Sequence, residues 1–200
     1  MKNVQSKSER TRAFIIESTA EIFNKKGYAG TSLSNLTAAT GLSKGAIYCN
    51  FENKEEVALA AFDYNYARIS QATREQVDQA KTYHDKLMVY TRVYRNVIGK
   101  MSKWGGCPIL NTAIEADDTN SVLKERAAKA VHAWENRLVK LIEQGIIAGE
   151  FKPGVNARQT ALSIVALIEG GLMISKVTDD RSSMDSVLNT VELLINNMEK

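Results

Sequence analysis

Proline, cysteine, histidine and tryptophan each occur only twice in these 200 residues. Each scarcity excludes something. Two prolines fit a mostly helical chain, because proline breaks helix interiors. Cys49 and Cys107 are too few for a disulfide framework and read as reduced, unpaired thiols in small packed positions rather than as redox sensors. His84 and His132 both fall in predicted helices. Neither has a partner at i+4 for a metal pair, nor an evident nucleophile nearby. No metal, cofactor or catalytic centre is expected, and the reading is not that of an enzyme. Gly105-Gly106-Cys107-Pro108 lacks the lysine and the spacing of a phosphate loop. No apolar run approaches the ~20 residues that cross a membrane. The polar opening, Met1 to Ser8, has no signal core, so a cytoplasmic location is expected. There is no internal repeat, no low-complexity tract, and no strand alternation that would make a sheet.

What remains is a chain 44% hydrophobic and 24% charged, enough for one or two small cores. Its net charge of +3 is uneven. The first 54 residues hold eight lysines and arginines against four glutamates, while the remainder carries a net −1. Ser6-x-x-Glu9 reads as a capping box opening a first helix, with Phe14, Ile15, Thr19, Ile22 and Phe23 on one face. That helix stops at Gly27, after Lys25-Lys26. Asn53-x-x-Glu56 reads as a second box, opening a long helix to about residue 80. Further helices are predicted near 83–102, 108–117, 120–147, 156–177 and 183–198. The fold class is all-α, with a division into residues 1–54 and 55–200.

Residues 31–54 are the most informative. Thr31 or Ser32 can cap a short helix whose inward face is Leu33, Leu36 and Ala39 or Thr40. Gly41 sits where the chain reverses, a position that calls for positive φ. Ser43 caps a second short helix whose Ile47 and Phe51 face inward. This is the layout of a helix-turn-helix that docks in the DNA major groove. A groove-reading helix needs short or polar side chains on its first turn, and Ser43, Lys44, Gly45 and Ala46 meet that need. The positive surplus of the segment agrees with phosphate binding.

Arg12, Ile15, Ala20, Phe23, Gly27-Tyr28, Thr31-Ser32-Leu33, Leu36, the run Gly41 to Tyr48, Phe51 and Lys54-Glu55 resemble the TetR family of bacterial transcriptional regulators. The resemblance is dense over roughly the first 60 positions. Beyond them it extends only to length and helical pattern. It implies an N-terminal three-helix bundle with a helix-turn-helix and a C-terminal helical ligand-binding and dimerisation domain. It makes Gly45 a close-approach position and Tyr48 a phosphate contact. It places Thr31 or Ser32 near the DNA backbone, and Lys54 at a phosphate beside the fourth helix's N-terminus. Asn50 stands where the family often has histidine, and can donate to a phosphate as a neutral group.

Aromatic and methionine residues crowd positions 64–134. Tyr66, Tyr90, Tyr94, Met101, Trp104, Cys107 and Trp134 are the candidates to line an effector cavity, the region that holds the inducer in the family. On the last two helices Ile164, Ile168, Gly171 and Leu172, with Leu188, Val191 and Ile195, form apolar stripes. The glycine pair 170–171 would admit a close helix. A four-helix homodimer interface is expected there. The combined reading is a dimeric regulator, most simply a repressor. It would leave a palindromic operator when a small molecule binds and tilts the long helix. The alternative is a protein-interaction module on the same fold that binds no operator.

Overall fold

The computed structural model describes residues 6–200, apart from the side chains of Val97, Ile98, Lys100, Met101 and Ser102. The described residues form nine helices: α1 (Lys7–Lys26), α2 (Leu33–Thr40), α3 (Lys44–Tyr48), α4 (Lys54–Gln79), α5 (Tyr83–Lys103), α6 (Pro108–Ala116), α7 (Ser121–Ile147), α8 (Ala157–Thr178) and α9 (Arg181–Asn196). The protein is all-α. Its only extended pairing among the described residues is an isolated antiparallel bridge between Phe151 and Glu199.

Local chemistry starts most of these helices. Ser6 and Glu9 form the expected reciprocal capping box, and Ser32 caps α2 with Asn35 reciprocating. Ser43 accepts from the Ala46 N–H at α3. Gly41 terminates α2 in the left-handed conformation, φ 67°, as the turn requires. The Asn53 box is only half made. The Asn53 side chain accepts from the Glu56 N–H, but the Glu56 carboxylate accepts from the Glu52 N–H at 2.6 Å and from Arg12 at 2.6 Å. The stronger charge-assisted bond to Arg12, 44 residues away, takes the side chain that a box would use. Phe14 is a second departure, lying 48% exposed instead of in the α1 core face.

Two apolar clusters organise the chain. The smaller gathers Ile15, Ala20, Phe23, Leu36, Ile47, Phe51, Val57, Ala58 and Ala61 with Ala116 and Leu123. The larger takes Phe62 and Val77 of α4 with α5 to α9. α4 therefore belongs to both clusters, and α6 and α7 reach into the smaller one. The two packed units meet within α4, not at a linker.

α8 also corrects an expectation. By length and composition it is apolar enough to cross a membrane, with mean hydropathy 1.6 over 18 residues, of which 39% are buried. Its inner side packs on α7 and α9, and its outer side is apolar as well. The chain also closes tightly where α7 ends. A Cβ on Gly145 would overlap the ring of Phe151, which is fully buried, and would stand 3.0 Å from Tyr83 Cβ. Gly145→Ala is therefore expected to lower unfolding free energy by about 3 kcal/mol through overpacking and displacement of that ring. Urea unfolding measures it, and an unchanged midpoint would show that the ring has room to move.

Candidate functional site

The α2–turn–α3 unit is held by its inward side chains and presents the first turn of α3. Ile47 and Phe51 are buried, and Arg12 lies over the Phe51 ring at 4.0 Å. Arg12 also donates to the Asn50 carbonyl and to Glu56. That fixes the end of α3 against α1 and α4. Ser43, Lys44 and Gly45 are exposed, and Ala46 and Tyr48 are half-buried. Gly45 has no positive φ, and a Cβ there would meet only Ser43 Oγ, at 4.0 Å. The fold itself gives no reason for glycine at this position.

Three of the sequence-predicted DNA contacts are engaged elsewhere. Thr31 is fully buried, and its hydroxyl donates to the Gly27 carbonyl at 2.6 Å. Ser32, not Thr31, is the cap and stays exposed. The Lys54 ammonium donates to the carbonyls of Tyr28 at 2.8 Å and Thr31 at 3.0 Å, and sits 4.1 Å above the Tyr28 ring. The Asn50 amide donates to the Ala46 carbonyl, and its oxygen accepts from Ser8. These groups build the motif. The family resemblance implied a DNA contact for each, but their partners within the subunit lie in other turns of the chain.

A cavity opens between α4, α5, α6 and α7. It is lined by Tyr66, Ile69, Ser70, Thr73, Tyr90, Tyr94, Cys107, Pro108, Ile109, Trp134 and Arg137. Five sequence-predicted residues meet here: Tyr66, Tyr90, Tyr94, Cys107 and Trp134. Trp104 lies instead in an adjoining recess with Arg68, whose guanidinium covers its ring at 3.9 Å; Ile69 lines both spaces. Met101's side chain lies outside the described residues. Ile69, Ser70, Thr73, Pro108, Ile109 and Arg137 were not anticipated. Arg137 follows Trp134 by three residues, the one helical-spacing signal that could have found it. The space is about 400 Å³ including its open mouth, and its walls are closely packed, with Tyr90, Tyr94, Cys107 and Trp134 almost wholly buried. A bound molecule must push the walls apart.

The cavity's polar groups are unusual. Tyr94 stacks on Trp134 with centroids 5.6 Å apart. The Cys107 thiol donates to Glu169 at 3.0 Å. Burial raises the Glu169 carboxyl to about 7 from 4.5, partly countered by that thiol. Burial also pushes the Cys107 thiol and the Tyr94 hydroxyl well above their usual ranges, and Tyr90 up to about 12. For Glu169 the folded protein holds a proton that the unfolded chain has released between about pH 4.5 and 7. Its contribution to stability therefore falls as pH rises through that window and is level above it. Glu169→Gln is expected to be roughly 2–3 kcal/mol more stable than the parent near pH 8 and nearly equal near pH 4.5. Denaturant melts at the two pH values would expose the error if the difference did not grow with pH.

A sequence profile described as "Bacterial regulatory proteins, tetR family" matches residues 15–61, and one described as "Tetracyclin repressor-like, C-terminal domain" matches residues 84–191. A TetR-family transcriptional regulator from Cytophaga hutchinsonii is 48% identical, with TM-score 0.94 over 98% of each chain. The chain belongs to the TetR family. A TetR transcriptional regulator from Chloroflexus aurantiacus is 37% identical, with TM-score 0.91 over 96% of this chain and 98% of the other. The fatty acid metabolism regulator protein of Bacillus subtilis is 23% identical over 90% of this chain and 92% of its own. This TetR-family member is a DNA-binding, ligand-responsive transcriptional regulator.

The regulator's two halves are joined by more than α4. Asn24, near the end of α1, donates to the carbonyls of Trp104 at 2.7 Å and Gly106 at 3.0 Å. Asn111 of α6 donates to the Asn24 carbonyl at 3.0 Å and to Gly105 at 2.8 Å. Glu115 of α6 accepts from the N–H groups of Tyr28 and Ala29 at 2.8 and 2.9 Å. Cys107 and Pro108, in the same turn, line the cavity. One short segment thus touches both the cavity and the base of the helix-turn-helix.

The expected dimer stripes need correction. Ile164, Ile168, Gly171, Leu172, Leu188, Val191 and Ile195 are all buried within the subunit. A Cβ on Gly171 would stand 2.8 Å from Met184 Sδ, so this glycine admits α9, not another subunit. The opposite side of α8 exposes Leu162, Ala166, Met173, Ile174 and Val177, with half-exposed Gly170 open beyond its Cα. These positions recur at three- and four-residue steps, one helical stripe. Leu193 of α9 is 60% exposed.

Proposed function

We propose that this regulator is a cytoplasmic homodimeric repressor, acting by binding alone. Two α3 helices enter successive major grooves of a palindromic operator, and a small molecule in the cavity releases them. The observation that carries the DNA reading is Gly45: an exposed glycine inside a helix costs about 1 kcal/mol relative to alanine, and nothing in the fold requires it. Close approach of a second molecule supplies the reason. Ser43, Lys44, Ala46, Tyr48 and the exposed Ser32 are the groups this reading assigns to the DNA. The subunits join through the outer stripe of α8 and Leu193, in line with the family's dimers.

The effector acts through differential affinity for two states. The cavity walls are closely packed, so a ligand favours a state with wider walls. The Trp104–Pro108 turn would carry that displacement to Asn24 and α1, alongside any tilt of α4. A gel shift with the fragment upstream of the chain's own gene tests the DNA reading. Lys44→Ala is expected to weaken binding and to reduce the log–log salt slope by about one unit if its partner is a phosphate. A protein that shifts no DNA at low salt would favour the interaction-module alternative.

A further inference from the structure

The cavity has one chemically distinct end. Tyr90 Oη and Trp134 Nε1, in the cavity wall, are buried with no partner at hydrogen-bonding distance among the described residues; so is Glu169 Oε2, on a residue that does not line the cavity. Tyr90 is 2% exposed and Trp134 5%. Arg137 lines the same wall, and its guanidinium is close enough to the Tyr90 hydroxyl to act on it through both charge and weak hydrogen bonding. Arg137 has no carboxylate partner among the described residues. Indole N–H can only donate, and so can a guanidinium. A buried donor left unpaired is costly. Two donor-only groups, the Trp134 indole and the Arg137 guanidinium, thus line one cavity with the Tyr90 hydroxyl, and none of its lining residues is a carboxylate.

The rest of the wall is mostly apolar, with Ile69, Tyr94, Pro108 and Ile109, and the Ser70 and Thr73 hydroxyls there donate to carbonyls of their own helix. The buried acid, Glu169, accepts from the Cys107 thiol and is not itself part of the lining. An anionic group is attracted at the Arg137 end, where the guanidinium has no carboxylate partner among the described residues. Resting on the effector reading above, we propose that the cavity takes a small amphipathic carboxylic acid. Its carboxylate is bound by Trp134 Nε1, Tyr90 Oη and Arg137, and its compact apolar body lies against Tyr94 and Ile109. Charge-assisted bonds of this kind are about twice as strong as neutral ones. They separate an acid from its neutral analogues more sharply than apolar contact can.

Equilibrium dialysis of three shape-matched probes, 2-naphthoate, 2-naphthamide and 2-methylnaphthalene, tests this on the full chain. The naphthoate is expected to bind about ten-fold tighter than either neutral probe. Arg137→Gln should abolish that advantage. Tyr90→Phe, which keeps the packing, should weaken naphthoate about five-fold and leave 2-methylnaphthalene unchanged. Trp134→Phe should do the same, provided its melt shows a folded protein. Equal binding of the neutral probes would overturn the proposal, as would no naphthoate binding or naphthoate binding indifferent to all three substitutions. A parallel gel shift separates the two layers. Naphthoate that needs Arg137 yet leaves DNA affinity unchanged would uphold the acid site and overturn the effector reading. Neutral probes that bind equally and release DNA would do the reverse.

Discussion

Ile174→Asp combined with Val177→Asp should turn the protein into monomers at micromolar concentration while the subunit keeps its fold. Ile174 is 42% exposed and Val177 79%, and neither carries the subunit's own core. Surface substitutions of this kind normally shift stability by less than about 0.5 kcal/mol. Two carboxylates facing their symmetry mates across an apolar contact have no counter-charge, and burying them unpaired costs several kcal/mol. Light scattering and a melt decide the matter together. The internal contrast is sharp: Gly170→Glu should also dissociate the dimer, because a Cβ there meets nothing within 4 Å, whereas Gly171→Glu should unfold the subunit against Met184 and Val187. A double aspartate variant that remains dimeric would move the interface elsewhere.

Gly45→Leu should change two properties in opposite directions. Leucine is the better helix former, and the added side chain has open space on the protein side. Stability should rise, by up to about 1 kcal/mol. Operator affinity should fall by about 100-fold or more, since a bulky side chain would stand between α3 and the base edges it must approach. Tyr48→Phe is the milder companion, removing one hydroxyl and weakening affinity without altering the melt. A Gly45→Leu protein that binds DNA as before would remove the observation on which the α3 assignment rests.

The parts of this molecule that were legible in the sequence are those determined by near neighbours. Ser6, Ser32, Ser43, Asn53 and Asn156 act on N–H groups three residues away, so their caps can be read locally. Helix existence followed from periodicity and from Gly41 and Pro108. What was hidden depends on distant partners. Lys54 looked free because the Tyr28 and Thr31 carbonyls that hold it are 26 and 23 residues away. Glu56 looked like half of a box because Arg12 is remote in sequence. α8 is apolar on both sides, so periodicity shows its stripes but not which of them faces inward, and the stripe expected at the interface is the one that α7 and α9 cover. Arg137 gave no sign beyond its spacing from Trp134. Gly145 gave none, because the ring it accommodates belongs to a loop.

The most direct test of the account is hydroxyl-radical footprinting of the purified dimer on genomic DNA fragments that it has itself selected. Two recognition helices related by a two-fold axis should protect two patches on one face of the duplex, with centres about 34 Å or a multiple of that apart. Both patches should vanish with Gly45→Leu and with the monomeric α8 variant. A folded dimer that selects no fragment, or one whose protection survives Gly45→Leu, would contradict it.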